Sequence, residues 1–233
     1  KGRDQYLGEI TKKLEKHHFL MVTGSSGDGK SSLIFAGLIP HARAGFLKAK
    51  FTNWVIADFR PKRDPLLNLA HCLSVKLQIN DTDKVEEELK LGFSALVDLY
   101  KKSTLYNKKQ SAKEIKPANL LILADQFEEF FTNEENYNSH IGVATQQAQH
   151  TVQLLLETVR IAKKESLPVY VVCTMRSDYF GNCNAFHGLP EMIEQSQKFL
   201  GRLSKQHLLE AISEPAKLSG IKISERLLQT LMN

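Results

Sequence analysis

Glycine, lysine and hydroxyl residues between positions 24 and 31 stand at the spacing of a phosphate-binding loop. Gly24-Ser-Ser-Gly-Asp-Gly-Lys-Ser31 fits the pattern G-x-x-x-x-G-K-[ST] throughout. Such glycines let the backbone fold into a concave loop whose N–H groups converge on phosphate oxygens. Lys30 would reach the β- and γ-phosphates, and the Ser31 hydroxyl would join the shell of a bound Mg²⁺. The alternative is a glycine-rich turn with an incidental lysine. The residues predicted to contact a nucleotide here are Gly24, Ser25, Ser26, Gly27, Asp28, Gly29, Lys30, Ser31 and Ser32.

A second group of candidate residues follows an apolar run, in the segment Leu120-Leu-Ile-Leu-Ala-Asp-Gln-Phe-Glu-Glu129. Asp125 ends that run, where a carboxylate can hold Mg²⁺ directly or through water. Glu128 and Glu129 come one helical turn later, and either can polarise an attacking water. The residue directly after Asp125 is Gln126, not the glutamate of fast ATPases of the AAA+ kind, which predicts slow hydrolysis. It stays open which glutamate acts, and whether these acids merely favour a helix N-terminus.

A third candidate is Arg176, in the segment Met175-Arg-Ser-Asp178 that follows another apolar run. An arginine at the tip of a strand beside the phosphate loop can contact a γ-phosphate and report its loss. An arginine after a strand is otherwise an ordinary surface residue. The interpretation therefore depends on where this strand lies in the sheet.

The elements that must position these residues alternate between short apolar runs and helical patterns. This alternation predicts βαβ units and a mainly parallel sheet. From residue 204 onward the pattern is helical, so we predict a nucleotide-binding core over 1–203 and the start of a small helical lid domain over 204–233. The chain ends inside an amphipathic pattern, and we expect it to be a fragment of a longer protein. Predicted strands are Phe19–Thr23, Thr52–Phe59, Asn119–Ala124, Val169–Thr174 and Lys198–Leu203. Predicted helices are 4–17, Lys30–Leu38 (stopped by Pro40), Pro65–Leu77, Val85–Lys102 and 149–165.

The composition is that of a globular protein and argues against a wholly disordered chain and against a membrane-spanning one. Hydrophobic residues make up 42% and charged residues 24%, so a core can form and wholesale disorder is not expected. The net charge of +5 permits a polyanionic partner, but a phosphate site accounts for positive charge by itself. No apolar run is long enough to cross a membrane. The three scattered cysteines suggest reduced thiols in a cytoplasmic protein.

Taken together, these motifs resemble the NTPase domain of the STAND class, the signal-transduction ATPases with numerous domains. The resemblance is to its novel bacterial branch, which is often joined to WD-repeat or effector domains. The segments that carry the resemblance are Gly2-Arg3-Asp4 and residues 24–40, 120–132, 174–193 and 200–220.

That resemblance implies an α/β fold of the P-loop NTPase (ASCE/AAA-like) type, a three-layer sandwich with a five-stranded, mainly parallel sheet followed by a helical lid. It also implies switching between ATP and ADP with Mg²⁺, self-association, and downstream sensor and effector domains. By position, Arg3 would lie on the adenine side, Pro215 would approach the base, and Arg176 would contact the γ-phosphate. We therefore expect a slowly hydrolysing regulatory switch whose nucleotide controls lid position and oligomerisation.

Two other classes of function are weighed against this expectation. A nucleic-acid-dependent ATPase of the AAA+ or origin-recognition kind would account for the basic charge and the helical lid. The missing acid next to Asp125, and the lysines of 108–116 that lack interleaved aromatics, count against it. A small-molecule kinase would use the same loop, but no acceptor-binding constellation is visible. We therefore expect neither a nucleic-acid partner nor a membrane.

Overall fold

Five parallel strands form the central sheet of the protein. The computed structural model describes residues 4–106, 116–202, 205–221, 223–224, 226–227 and 230. Each predicted strand is present within a few residues of its expected bounds, and the predicted parallel arrangement is confirmed. The strands of this sheet are β1 (Phe19–Gly24), β2 (Asn53–Phe59), β3 (Ala118–Ala124), β6 (Val169–Arg176) and β7 (Gln197–Leu200). Their spatial order is β2-β3-β6-β1-β7. Two short antiparallel strands, β4 (Tyr137–Asn138) and β5 (Val143–Ala144), form a separate hairpin.

Helices cover both faces of the sheet, which makes a three-layer sandwich. Strand β3 is apolar and buried at nearly every position because its alternate side chains face two different cores. The α-helices are α1 (Asp4–His17), α2 (Lys30–Ser32), α3 (Ile39–Arg43), α4 (Pro65–Lys76), α5 (Thr82–Lys90), α6 (Ala95–Lys102), α7 (Glu129–Thr132), α8 (Gln146–Lys164), α9 (Leu189–Gln195) and α10 (Lys205–Leu218). Leu120 and Ile122 pack into the core beneath helices α4 to α9, whereas Leu121 and Leu123 pack beneath α1 and the helical stretch after β1.

The helical stretch after the phosphate loop continues past the proline that was expected to stop it. Between α2 and α3 lies a π-helical segment, Leu33–Leu38, in which Ile39 N donates to Ile34 O five residues back. A proline in regular α-helix lacks one N–H and crowds the carbonyl four residues earlier, so a wider turn before Pro40 lets the helix proceed to Arg43. The prediction of a stop at Pro40 is therefore wrong.

Two further boundaries differ from the sequence prediction. The single helix expected over Val85–Lys102 is two helices, α5 and α6, because the chain turns at 91–94, where Gly92 lies. The last strand ends at Leu200 and is shorter than predicted. Within the part of the chain that the structure describes, no helix combines the length and the apolar composition needed to cross a membrane.

Candidate nucleotide site

The candidate residues meet at one edge of the sheet because parallel strands place their carboxyl ends together. Gly24, the last residue of β1, is in register with Arg176, the last residue of β6. On the other side of β6, Ala124 of β3 is in register with Cys173, which brings Asp125 beside Thr174. The three segments singled out from the sequence therefore converge at this edge.

The phosphate loop is a tight turn held by its own side chains. Gly27 and Gly29 have φ values of 81° and 76°, a left-handed conformation that favours glycine. The Asp28 carboxylate accepts a hydrogen bond from Ser25 N at 2.6 Å. Lys30 Nζ donates to the carbonyls of Gly24 and Ser25, at 3.0 and 2.8 Å. The hydrogen bond from Ser25 N to Asp28 therefore braces the loop, and the Lys30 side chain lies folded across it. The side chains at positions 26 and 32 are exposed.

Gly24 has no room for a side chain. A Cβ atom at this position would lie 2.6 Å from the carbonyl oxygen of Leu200 and 3.2 Å from the Asp28 carboxylate. The first glycine of the loop is thus fixed by the close approach of β7, its neighbour in the sheet.

The central contact of the site joins the loop to the distant aspartate. Ser31 Oγ donates to Asp125 Oδ1 at 2.7 Å, although 94 residues separate them. Thr174 Oγ1 on the intervening strand β6 donates to the same oxygen at 2.7 Å. Asp125 is buried, with 5% of its surface exposed. The hydroxyls of Ser31 and Thr174 satisfy one oxygen of this buried carboxylate. Oxygen donors of this kind suit a hard cation such as Mg²⁺.

The second oxygen of Asp125 faces the end of β2. Arg60, the residue directly after β2, places Nη2 3.4 Å from Asp125 Oδ2. The amide of Gln126, oriented to satisfy both of its ends, accepts from the same Nη2 at 3.2 Å and donates to Glu129 Oε1 at 3.0 Å. Arg60 and Asp125 also line a pocket of about 480 Å³ between β2, α4 and the π-helical segment.

Glu128 and Glu129 point to different neighbours even though they are adjacent in the chain. Glu128 Oε2 accepts from the backbone N–H of Arg176 at 3.2 Å, so this carboxylate faces the end of β6. Glu129 Oε2 accepts from Lys62 N at 2.8 Å, in the loop between β2 and α4. That loop is held further by Asn133 and Asn136, whose Nδ2 atoms donate to the Lys62 carbonyl at 2.6 and 2.5 Å.

Arg176 lies beside the phosphate loop, but its side chain is engaged locally. Its Nη2 donates to Asp178 Oδ2 at 2.5 Å, and its guanidinium lies over the Tyr179 ring, 5.6 Å from the ring centroid. The hydrogen bond and the charge of Asp178 raise the pKa of Arg176 above its ordinary value. Its Nε is buried and makes no hydrogen bond among the described residues.

Other candidate positions are less informative. Arg3 lies outside the described residues, and Pro215 falls within α10, some distance along the chain from the loop. Cys72, Cys173 and Cys183 are buried free thiols. Desolvation raises the pKa of Cys72 to about 11 and also raises that of Cys173, which keeps both thiols protonated and unreactive.

Two residues of the site were not predicted, Arg60 and Thr174. Each stands at or near the carboxyl end of a strand, where polar side chains of a parallel sheet gather around a ligand. That position was the available signal. The strand order, which places β2 and β6 on either side of β3, was needed to use it.

The fold is that of P-loop ATPases. Similar solved structures include the ORC2 protein of Aeropyrum pernix in ADPNP–ADP complexes, with a TM-score of 0.55 and 14% identity, covering 93% of this chain and 52% of that chain. The Walker-type ATPase of Pyrococcus abyssi has a TM-score of 0.54 and 13% identity, covering 98% of this chain and 61% of that chain. AMPPCP-bound DnaA from Aquifex aeolicus has a TM-score of 0.52 and 11% identity, covering 98% of this chain and 54% of that chain. The chain thus spans about half to three fifths of these structures, and at such identities they show the fold alone.

Sequence comparison gives one short match and one that covers the whole chain. Kinesin-related protein 4 of Dictyostelium discoideum is 33% identical over 81 residues, which are 35% of this chain and 4% of that protein. A match of that extent assigns no family. The family model described as Novel STAND NTPase 1, in contrast, matches residues 1–233. The chain therefore belongs to the novel STAND NTPase 1 family.

Proposed function

We propose that this chain is the ATP-binding and slowly hydrolysing module of a regulatory switch. One observation carries the proposal: the loop hydroxyl of Ser31 meets the buried carboxylate of Asp125 at 2.7 Å, beside a lysine and a turn of glycines. This combination of groups serves a nucleoside triphosphate and its Mg²⁺ in P-loop proteins. The family and the fold support an NTPase in general. The switch role is our extension of that support.

The phosphate loop would hold the anion through its backbone. The first N–H groups of a helix have no partner within the helix, so those of Gly29 to Ser32 are available to phosphate oxygens at the positive end of the helical stretch. Lys30 would exchange the carbonyls of Gly24 and Ser25 for phosphate oxygens. Asp28 would act as a brace, because its carboxylate is turned towards Ser25 N.

Ser31 and Asp125 fit a magnesium site by the chemistry of their donors. Both present oxygen atoms, and the Asp125 carboxylate is buried where a cation would compensate its charge. When bound, Mg²⁺ would neutralise charge that develops on the phosphates. Thr174 would hold Asp125 in position through its hydrogen bond to Oδ1.

Between the two candidate bases, the geometry favours Glu128. Its carboxylate contacts the tip of β6, the strand next to the phosphate loop, whereas Glu129 is bound to the loop after β2. Glu128 would accept a proton from the attacking water, and Arg176 would stabilise the γ-phosphate once its side chain leaves Asp178. Gln126, directly after Asp125, cannot act as a base, which supports a slow reaction.

We extend the proposal to the C-terminal part of the chain. Helix α10 begins five residues after β7 ends, and β7 touches Gly24, so a helical lid starting near residue 204 would be connected to the phosphate loop. Nucleotide state would then set lid position and self-association, with Pro215 near the base and Arg3 on the adenine side. Sensor and effector domains would follow in a longer protein.

Calorimetry with ATP and with ADP, each with and without Mg²⁺, tests the module. Binding should weaken roughly 10- to 100-fold in Lys30→Ala, because a hydrogen-bonded charge is lost. An exposed lysine of α1 provides the control, Lys12→Ala, which should bind as the wild type does. Absence of nucleotide binding in the wild type would refute the module. Light scattering that gives the same oligomer size with ATP, with ADP and in Lys30→Ala would refute the switch.

The alternative candidate is a nucleic-acid-dependent ATPase. ORC2, DnaA and a solved DNA replication initiation factor share the fold, and this chain carries a net charge of +5. Stimulation of ATP hydrolysis by DNA, with an affinity that falls steeply with salt, would favour it over the switch. An unchanged rate over a range of DNA concentrations would dismiss it.

A further inference from the structure

The proposed function gives no role to Arg60, a charged side chain that contacts Asp125. Its guanidinium lies 3.4 Å from Asp125 Oδ2. The Asp125 side chain is 7% exposed, while that of Arg60 is 48% exposed. Asp125 Oδ1 is already engaged by the hydroxyls of Ser31 and Thr174, so Oδ2 depends on Arg60 for its compensation. A buried carboxylate without a counter-charge is costly, and Arg60 supplies that charge.

A metal ion at the same carboxylate would meet this arginine. Two cations beside one carboxylate repel each other, and the divalent ion is the stronger competitor. We propose that Arg60 is the resident counter-ion of Asp125 and that it competes with metal-bound nucleotide for this carboxylate. The inference rests on the proposed function, because it needs Asp125 to be the metal ligand.

The surroundings of Arg60 allow its side chain to leave Asp125 while its backbone stays fixed. The loop after β2 is tied at Pro61, whose carbonyl accepts from Asn68 Nδ2 at 3.0 Å, and at Lys62, whose N–H binds Glu129. The Arg60 side chain, by contrast, lines the pocket of about 480 Å³, which is also lined by Asp58 and Lys76, a pair whose charged atoms lie 3.9 Å apart. The Arg60 side chain therefore has space within the pocket to leave Asp125.

This arrangement would lower the affinity of the site for nucleotide that arrives with its metal and leave the affinity for metal-free nucleotide unchanged. A metal-free nucleotide brings no cation to replace Arg60 and leaves the pair with Asp125 in place. A metal-bound nucleotide must displace the pair and binds more weakly than it would to an uncompensated Asp125. Arg60 is thus a positioning residue that lowers affinity in the presence of metal.

The test compares Arg60→Gln with Arg63→Gln. Arg63 lies in the same loop, and its side chain is 84% exposed in a 3.5 Å ion pair with Glu135, so its loss removes the same charge without touching Asp125. Calorimetry with a non-hydrolysable ATP analogue and Mg²⁺ should show Arg60→Gln binding about two- to fivefold more tightly than Arg63→Gln. With EDTA instead of Mg²⁺ this advantage should disappear. Without metal or nucleotide, Arg60→Gln should melt at a lower temperature than Arg63→Gln, and the analogue with Mg²⁺ should close that gap.

The opposite results separate the two proposals. If the wild type binds the analogue but Arg60→Gln binds it as Arg63→Gln does or more weakly, the competition is refuted and the proposed function stands. The weaker binding would indicate that Arg60 contacts the phosphates. If the wild type binds no nucleotide, the proposed function is refuted, and the competition with it.

Discussion

Asp125 is approached from two sides that are built differently. On the β1–β6 side, formed by Gly24, Ser31, Thr174 and Arg176, hydroxyl and cationic groups lie next to a turn of glycines. On the β2 side, formed by Arg60, Lys62, Glu129, Asn133 and Asn136, side chains bind mainly backbone groups of the loop after β2.

The difference separates groups that are available to a ligand from groups that are already used by the fold. The carboxylate of Glu129 is committed to Lys62 N and Gln126, and Asn136 is buried with its Nδ2 on the Lys62 carbonyl. On the β1–β6 side, Lys30 is bonded only to loop carbonyls in the contacts described above, and it can exchange them for an anion. Adjacent residues such as Glu128 and Glu129 can therefore differ in role because they face different sides.

The largest expected effect is a difference in the rate of ATP hydrolysis between variants of Glu128 and Glu129. Glu128→Gln should lower the rate of ATP hydrolysis roughly 10²- to 10⁴-fold, the usual loss for a general base, with little change in analogue affinity. Glu129→Gln keeps an oxygen that can accept from Lys62 N, and its rate should fall by less than about tenfold. Phosphate release under single-turnover conditions measures both. A greater loss of rate in Glu129→Gln than in Glu128→Gln would make Glu129 the base and contradict the division between the two sides of Asp125.

A smaller effect is expected when the β2 side is loosened. Asn136→Ala removes two hydrogen-bond donations, to the carbonyls of Lys62 and Glu129, and should lower the free energy of unfolding by about 1–3 kcal/mol. Because no group of the β1–β6 side is lost, nucleotide affinity should stay within about twofold of the wild type. Urea denaturation and calorimetry measure the two quantities. The exposed Asn138→Ala is the control, and a loss of affinity in Asn136→Ala without loss of stability would contradict the division.

The smallest effect concerns the brace of the phosphate loop. Asp28→Asn keeps an oxygen that can accept from Ser25 N but removes its charge, so the free energy of unfolding should fall by about 0.5–1 kcal/mol. Asp98→Asn, an exposed carboxylate on α6 that accepts from Ser94 Oγ, serves as the comparison in urea denaturation. Equal losses in the two variants would mean that the Asp28 carboxylate does not brace the loop.

Much of the fold was predictable because strong local patterns fix it. The apolar runs of β1, β3 and β6 and the glycines at 24, 27 and 29 need little tertiary information to be recognised. The predicted helix end at Pro40 and the predicted single helix over Val85–Lys102 were wrong because the local pattern does not show how the backbone turns there. A π-helical turn absorbs the proline, and a turn at 91–94 divides the long helical pattern.

The residues proposed to face a ligand were predictable from the sequence, whereas the separate role of each residue was less predictable. Ser31 and Asp125 were expected to meet, and they lie 2.7 Å apart. Arg60 escaped notice because its partner depends on β2 lying next to β3, a long-range pairing that sequence alone does not give. The choice between Glu128 and Glu129 depends on side-chain direction at the end of β3. Their assigned roles stay predictions until the variants are measured.

The missing side chain at Gly24 has a consequence for evolution and engineering of this sheet edge. Since the Leu200 carbonyl would stand 2.6 Å from a Cβ at this position, even alanine would have to push the two neighbouring strands apart. Replacing the first glycine of the loop is therefore a change to sheet spacing as much as to ligand contact. A designer who wishes to alter ligand affinity without separating β1 from β7 must work at other loop positions, such as 26, where the side chain is exposed.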